Sequence, residues 1–382
     1  MRARRVTAIC GVFLVGAALA PAGAGAAPRF KPTKQQKVDA KRAAATYRAL
    51  QRFYYVPDRK LYKGNPYAYT WPSSQALSAT VALAGVPKIG PHYSSDVGDR
   101  IQGLANYFDD SSRPAGYDGQ IRPPLGKGGD KYYDDNEWIG LALLRRWQET
   151  HSPPLLTRAE TTFGLASSGW DPDQAHPCPG GVFFNNSPKN TDRNTVTNAP
   201  GALLGAELYA ATGNLDDLLW SIQMYEWVRN CLEGPGGLYF DHIDFDGKLD
   251  ETTWSYNQGT MIGAGVVLYR VTGNKTYLSQ AKQLATSSLP RFSGNRILTA
   301  DRPFFLAIYF ENLLRLDATR PDRRYRKVVQ AFADAAWKKM RSKSTGLFSF
   351  PQERNVEVLN QAAIIRIYSD LARNPADFAR PS

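Results

Sequence analysis

Cysteine and histidine are scarce, and their scarcity removes several kinds of chemistry at once. The 382-residue chain carries three cysteines and four histidines. His92, His151, His176 and His242 stand far apart, with no metal-ligand spacing among them. No zinc-type spacing, unbroken basic run or RNA-binding aromatic motif occurs, so nucleic acid is excluded as a partner. Past the first residues, no stretch is apolar for long enough to span a bilayer, which argues against stable membrane insertion. The formal charge is nonetheless +12. Lys and Arg are scattered among helical segments, the pattern of a solvated basic surface, and attraction to anionic wall polymers or lipid headgroups stays open.

The N-terminus is the one apolar exception. Arg2, Arg4 and Arg5 precede an apolar stretch from Val6 to Ala20, and Ala22-Gly23-Ala24-Gly25-Ala26 supply small residues for cleavage. This pattern predicts a secretory signal peptide over 1–26 and a single extracellular domain over 27–382. Cys10 would leave with the leader. Cys178 and Cys231 would then meet an oxidising compartment, where a disulfide is expected over two free thiols.

Helical periodicity fills the remainder, with little strand. Amphipathic segments near 35–55, 94–109, 156–168, 215–231, 275–289 and 322–340 alternate with nearly uncharged ones near 71–85, 134–148, 194–212, 256–272, 303–316 and 357–373. The first set should face solvent and the second should be buried on most sides. Six outer helices alternating with six inner ones predict an all-α fold, an (α/α)6 toroid. An internal repeat supports it: Gly205 to Tyr209 followed by Thr212-Gly213-Asn214 recurs as Gly265 to Tyr269 followed by Thr272-Gly273-Asn274. Polar or aromatic residues precede each inner segment, so parallel inner helices would bring them to one mouth. Gly180 to Phe184 and Gly236 to Asp241 read as short extended segments there. A turn lies at Asp244–Asp250. Its likeness to a calcium loop fails, because His242 and Thr253 would fall on the first and last ligand positions. No metal and no cofactor are implied.

Tyr132-Tyr133-Asp134-Asp135-Asn136-Glu137-Trp138 carries the sharpest chemical signal. Two adjacent carboxylates at the start of a buried helix are costly unless used or well hydrogen-bonded. Helix capping is the plainer explanation. Glycoside hydrolysis is the sharper one, since it needs one carboxylate ionised and its neighbour protonated at one pH. Aromatics interleaved with amides recur at other inner-helix starts: Trp71 and Gln75, Asn194 and Asn198, and Trp254, Tyr256, Asn257 and Gln258. Sugars need that mixture of flat apolar faces and planar hydrogen-bonding groups.

Tyr133-Asp134-Asp135-Asn136-x-Trp138 resembles the paired-aspartate motif of the endo-α-1,6-mannanases, glycoside hydrolase family 76. Tyr256-Asn257-Gln258-Gly259 matches that family's Tyr-Asn-Gln-Gly signature. Asn194-x-x-Thr197-Asn198 is similar to its Lys-Asn-x-x-Thr-Asn motif, with Arg193 in the lysine place. The resemblance runs from about Trp71 to Leu371. It implies an (α/α)6 barrel and retaining hydrolysis, with Asp134 as nucleophile and Asp135 as acid/base. It also implies that Tyr133, Asn136, Trp71, Gln75, Asn194, Asn198, Asp241, Trp254, Tyr256, Asn257 and Gln258 hold an α-mannan-type polysaccharide or oligosaccharide. Two departures stand out: Phe305-Leu306-Ala307-Ile308-Tyr309 replaces Phe-Lys-Gly-Ile-Phe, and Glu137 fills a place usually small. A transglycosylase and a non-catalytic glycan-binding protein are the competing readings, and a monomer is expected.

Overall fold

The computed structural model describes residues 30–352 and 357–379; the expected leader lies outside them. From Pro32 onward the chain is one compact unit. Among the described residues the inner helices are α2 (Thr70–Ala84), α4 (Tyr133–Thr150), α6 (Thr195–Thr212), α8 (Ser255–Thr272), α10 (Pro303–Thr319) and α12 (Val358–Ala372). Each packs on the next, and α12 returns to α2, which closes the ring. The outer helices are α1 (Lys34–Tyr54), α3 (Ser94–Leu104), α5 (Pro153–Ser168), α7 (Leu215–Leu232), α9 (Lys275–Ser288) and α11 (Arg323–Lys339). They lie on α12, α2, α4, α6, α8 and α10 respectively. This is the expected (α/α)6 toroid.

Of the inner helices, α6 and α8 carry almost no charge because they are enclosed. Every residue of α6 from Thr195 to Leu208, and of α8 from Ser255 to Leu268, is buried. Small residues let these helices approach closely: a Cβ at Gly259 would lie 2.5 Å from the Tyr309 backbone of α10. The repeated Thr-Gly-Asn serves as punctuation. Gly213 and Gly273 end α6 and α8 at φ +75° and +71°, where a side chain would be strained. Asn214 and Asn274 then cap α7 and α9, their side chains accepting from the Asp216 and Thr276 amides. Two segments differ at their ends. The expected 94–109 helix stops at Leu104, passes through a 3₁₀ turn and becomes a strand. The helix expected from 156 begins at Pro153, because proline's fixed φ and missing N–H suit a first turn.

Strand is confined to short pieces. Tyr55–Val56 (β1) pairs with Leu61–Tyr62 (β2), and Phe108–Asp109 (β3) with Gly116–Tyr117 (β4). Asp192–Asn194 (β5), His242–Asp244 (β6) and Leu249–Asp250 (β7) form an antiparallel sheet in the order β5-β6-β7. The expected turn joins β6 to β7, with Gly247 at φ +86°. Extended residues near Val182 and Tyr239 make only isolated bridges: Val182 to Trp170, Phe183 to Arg193 and Tyr239 to Glu233. Cys178 and Cys231 are disulfide-bonded, with Cα atoms 5.9 Å apart. The bond ties the loop before Val182 to the last turn of α7.

Candidate active site

All six inner helices begin around one cleft of about 830 Å³. Tyr69 and Trp71 come from the start of α2, Asp134 and Asp135 from α4, and Val196 from α6. Tyr256 comes from α8, Phe304 and Phe305 from α10, and Glu357 precedes α12. The ring therefore gathers residues that are far apart in sequence. Trp71, Trp254 and Tyr256, expected to touch sugar, form part of one aromatic wall: Tyr256 lies 4.1 Å from Phe305 between ring centroids, and Trp254 lies 5.5 Å from it.

Asp134 and Asp135 occupy the first turn of α4 and are only 8 % and 7 % exposed. Burial pushes the Asp134 carboxyl up to about 7, against the pull of the backbone amides at the start of α4. Asp241 adds to the rise by like-charge repulsion. Asp135 is raised well above the usual carboxylate range, first by burial and then by Asp134, with no compensating donor. Of the pair, Asp134 is the one equipped to ionise first. Asp134 Oδ1 has no hydrogen-bond partner. Glu137, one turn further on, is fully buried with neither oxygen bonded, and burial raises its carboxyl strongly as well. A Cβ at Gly201 of α6 would meet it, so this larger residue has been fitted opposite a glycine.

Three expected sugar contacts have a different task. Asn136 Oδ1 accepts from the Tyr117 N–H at 2.7 Å, and its Nδ2 donates to the carbonyls of Tyr117 and Tyr132. Asn198 Oδ1 accepts from the Val182 N–H, and its Nδ2 donates to the Asn194 carbonyl at 2.8 Å, with a longer approach to the Val182 carbonyl. Gln258 accepts from the Tyr239 N–H and donates to the carbonyls of Tyr239 and Trp254. Gln361 of α12 holds Phe348 by its N–H and carbonyl in the same way. An inner-helix amide thus clasps both backbone groups of one loop residue, four times round the ring. Asn136, Asn198 and Gln258 are fully buried and their hydrogen bonds are spent on holding loops. The Tyr133 ring packs into the core against Gly169, and Tyr132 lines the cleft. Gln75 accepts from Arg366 and lies outside the cleft lining.

Asn257 and Asn194 lie outside the cleft lining as Gln75 does, but each keeps an atom unbonded. Asn257 Nδ2 donates to Asp241 Oδ1 at 3.2 Å, and Asn194 Nδ2 donates to Asp192 Oδ2 at 3.3 Å. Both leave a buried amide oxygen without a partner. Asp241 also meets His242 Nδ1 at 3.1 Å. With Asp250 these two could share a cation, their donor atoms lying within 4.8 Å of one another. The contact between Asp241 and His242 already occupies two of those donors. Arg193, in the lysine place, is fully buried. It donates to Asp171 Oδ2 at 2.8 Å and to the carbonyls of Pro177 and Asp244. A guanidinium fork can join three loops where an ammonium would serve as a point charge. Cleft residues that sequence reasoning did not single out include Gln120, Asp130, Arg302 and Glu357, whereas Phe184 lies in a segment expected at the mouth. Only the polar character of the loops before α4, α10 and α12 hinted at the first four.

Residues 39–358 match the family described as glycosyl hydrolase family 76. Among curated proteins, the mannan endo-1,6-alpha-mannosidase DCW1 of Saccharomyces cerevisiae is 26 % identical over 181 residues, 43 % of this chain and 39 % of that protein. Its Candida glabrata counterpart is 23 % identical over 193 residues, 46 % of this chain and 42 % of that one. The matched region thus spans about two-fifths of these curated relatives. Among solved structures, a family 76 mannosidase from Bacteroides thetaiotaomicron superposes with a TM-score of 0.78 at 23 % identity, over 88 % of this chain and 98 % of that one. An inactive α-1,6-mannanase variant from a Salegentibacter species, with two neighbouring aspartates replaced by asparagine and α-1,6-mannotriose bound, superposes with a TM-score of 0.70. It is 18 % identical, and the match covers 87 % of this chain and 99 % of that one. The family match takes in α2 to α11 and the paired aspartates at the cleft, so this chain belongs to glycosyl hydrolase family 76.

Proposed function

We propose that the chain is an exported glycoside hydrolase that cleaves α-1,6-mannosidic linkages with retention of configuration. One observation carries the reading: two adjacent buried carboxyls, Asp134 and Asp135, share the mouth of the ring with no cation beside them among the described residues, and burial raises both. Asp134 attacks the anomeric carbon while Asp135 gives its proton to the departing glycosidic oxygen. Asp135 then takes a proton from the water that releases the sugar from Asp134. Trp71 and Tyr256 flank the sugar face. The named activities of the yeast relatives and the mannotriose bound to the Salegentibacter variant support the substrate class. The domain over 27–382 would act as a monomer.

NMR on fresh digests of α-1,6-mannan tests the mechanism. α-Configured reducing ends should appear first; β-anomers first would mean inversion and end this assignment. Longer products would mean transfer to sugar, and binding without cleavage a lectin. Sequencing the N-terminus of the exported chain tests cleavage after Ala26.

A further inference from the structure

We propose that a groove at the end of the ring remote from the cleft docks on the phosphate headgroups of an anionic lipid surface. The groove, about 470 Å³, lies between the first half of α1, the α2–α3 connection and the end of α12. The cleft is built at the other ends of α2 and α12, and a helix of α2's length spans about 20 Å. Lys37, Lys41, Arg48 and Lys88 line the groove and are exposed, and no carboxylate does. Among the described residues none of the four is in an ion pair. Lys37 and Lys41 stand four apart on one helix face, where like charges repel. Lys88 holds φ +74°, a left-handed conformation that disfavours any side chain. Stability alone therefore selects against this arrangement.

Beneath the cations lie Ala40, Ala44, Val86 and Ile89. A purely polar polyanion would leave that floor bare, whereas a lipid surface offers phosphate for the rim and acyl carbon for the floor. The chain's own N-terminal segment is a poor occupant, since residues 1–29 hold four arginines and no acid. Docked this way, the molecule presents its cleft away from the surface, towards polymer.

Co-sedimentation of the full chain with vesicles of phosphatidylcholine, alone or mixed equally with phosphatidylglycerol, tests the proposal. The chain should bind the mixed vesicles, less so as salt is raised. Replacing Lys37, Lys41 and Lys88 together by Glu should weaken that binding at least about tenfold. The same change at Lys275, Lys282 and Lys327, on α9 and α11, should weaken it much less. Residues 1–29 are common to all three chains, so their contribution cancels. Ile89→Ser, which keeps every charge, should also weaken binding. Unchanged turnover of soluble manno-oligosaccharide certifies each variant as folded. Absent binding, equal binding to neutral vesicles, or equal losses in the two triple variants would each overturn the proposal.

Discussion

The two ends of the ring bury carboxylates equally well and treat them in opposite ways. At the mouth, Asp134 and Asp135 have no cation in contact, and burial lifts both. At the far end, Glu311 accepts from Arg145 at 2.8 Å and from Arg366, and these guanidinium groups pull it down to about 2 despite full burial. Asp370 lies between the extremes. It is hydrogen-bonded to Arg145 but repelled by Glu311, and burial still leaves it raised. Burial sets the size of the electrostatic effect, and the neighbouring charges decide its sign. A paired carboxylate is fixed in one charge state, whereas an unpaired one can exchange a proton near neutral pH. Only the mouth is therefore fit for acid/base chemistry.

Substitutions at each end should separate the two. Asp134→Asn removes the attacking oxygen, so turnover of α-1,6-manno-oligosaccharides should fall on the order of 10⁴-fold or more, whatever the leaving group. Asp135→Asn should cost about 10²–10⁴-fold, less for substrates whose leaving group needs no proton, and should abolish the basic limb of the pH–rate profile. The acid limb, governed by Asp134, should lie near pH 7. Glu311→Gln strands Arg145 and Arg366, and chemical denaturation should show a loss of about 3–5 kcal/mol with turnover little changed. Equal damage to activity and stability at both ends would break the comparison.

The same contrast shapes stability against pH. A carboxyl raised by folding keeps its proton while the unfolded chain has lost its own. Between the ordinary value near 3.8 and about 7, Asp134 therefore makes the folded state less stable as pH rises. Asp134→Asn should raise the melting temperature more at pH 8 than at pH 4. Glu311 acts in reverse: its contribution is full above 4.5 and fades as pH falls towards about 2. The smallest effect belongs to the clasps. Gln258→Ala should cost about 1–3 kcal/mol for the Tyr239 backbone groups left unbonded, measured by denaturation.

Much of this molecule was legible in its sequence. Charged-face and small-residue segments alternate because one set meets water and the other does not, which gives the ring directly. Parallel inner helices then bring Trp71, Asp134 and Tyr256 to one mouth. The amides were misread for a physical reason. A primary amide presents a donor and an acceptor side by side, and a peptide group matches that pair as well as a sugar's hydroxyls do. Sequence places Asn136, Asn198 and Gln258 at the correct helix starts, yet only the folded loops reveal which partner each one meets. Tyr133 was misplaced likewise, since a one-residue step along a helix turns a side chain about 100°.

The clasps have an evolutionary consequence. Each grips only the N–H and carbonyl of a loop residue, groups that every amino acid except proline supplies. The grip itself does not read the side chain it holds, and the four held residues, Tyr117, Val182, Tyr239 and Phe348, share burial in the core but not shape. Loops around the cleft can thus change their chemistry one residue at a time while their path stays anchored, and a barrel of this kind can acquire new sugar specificities without being rebuilt.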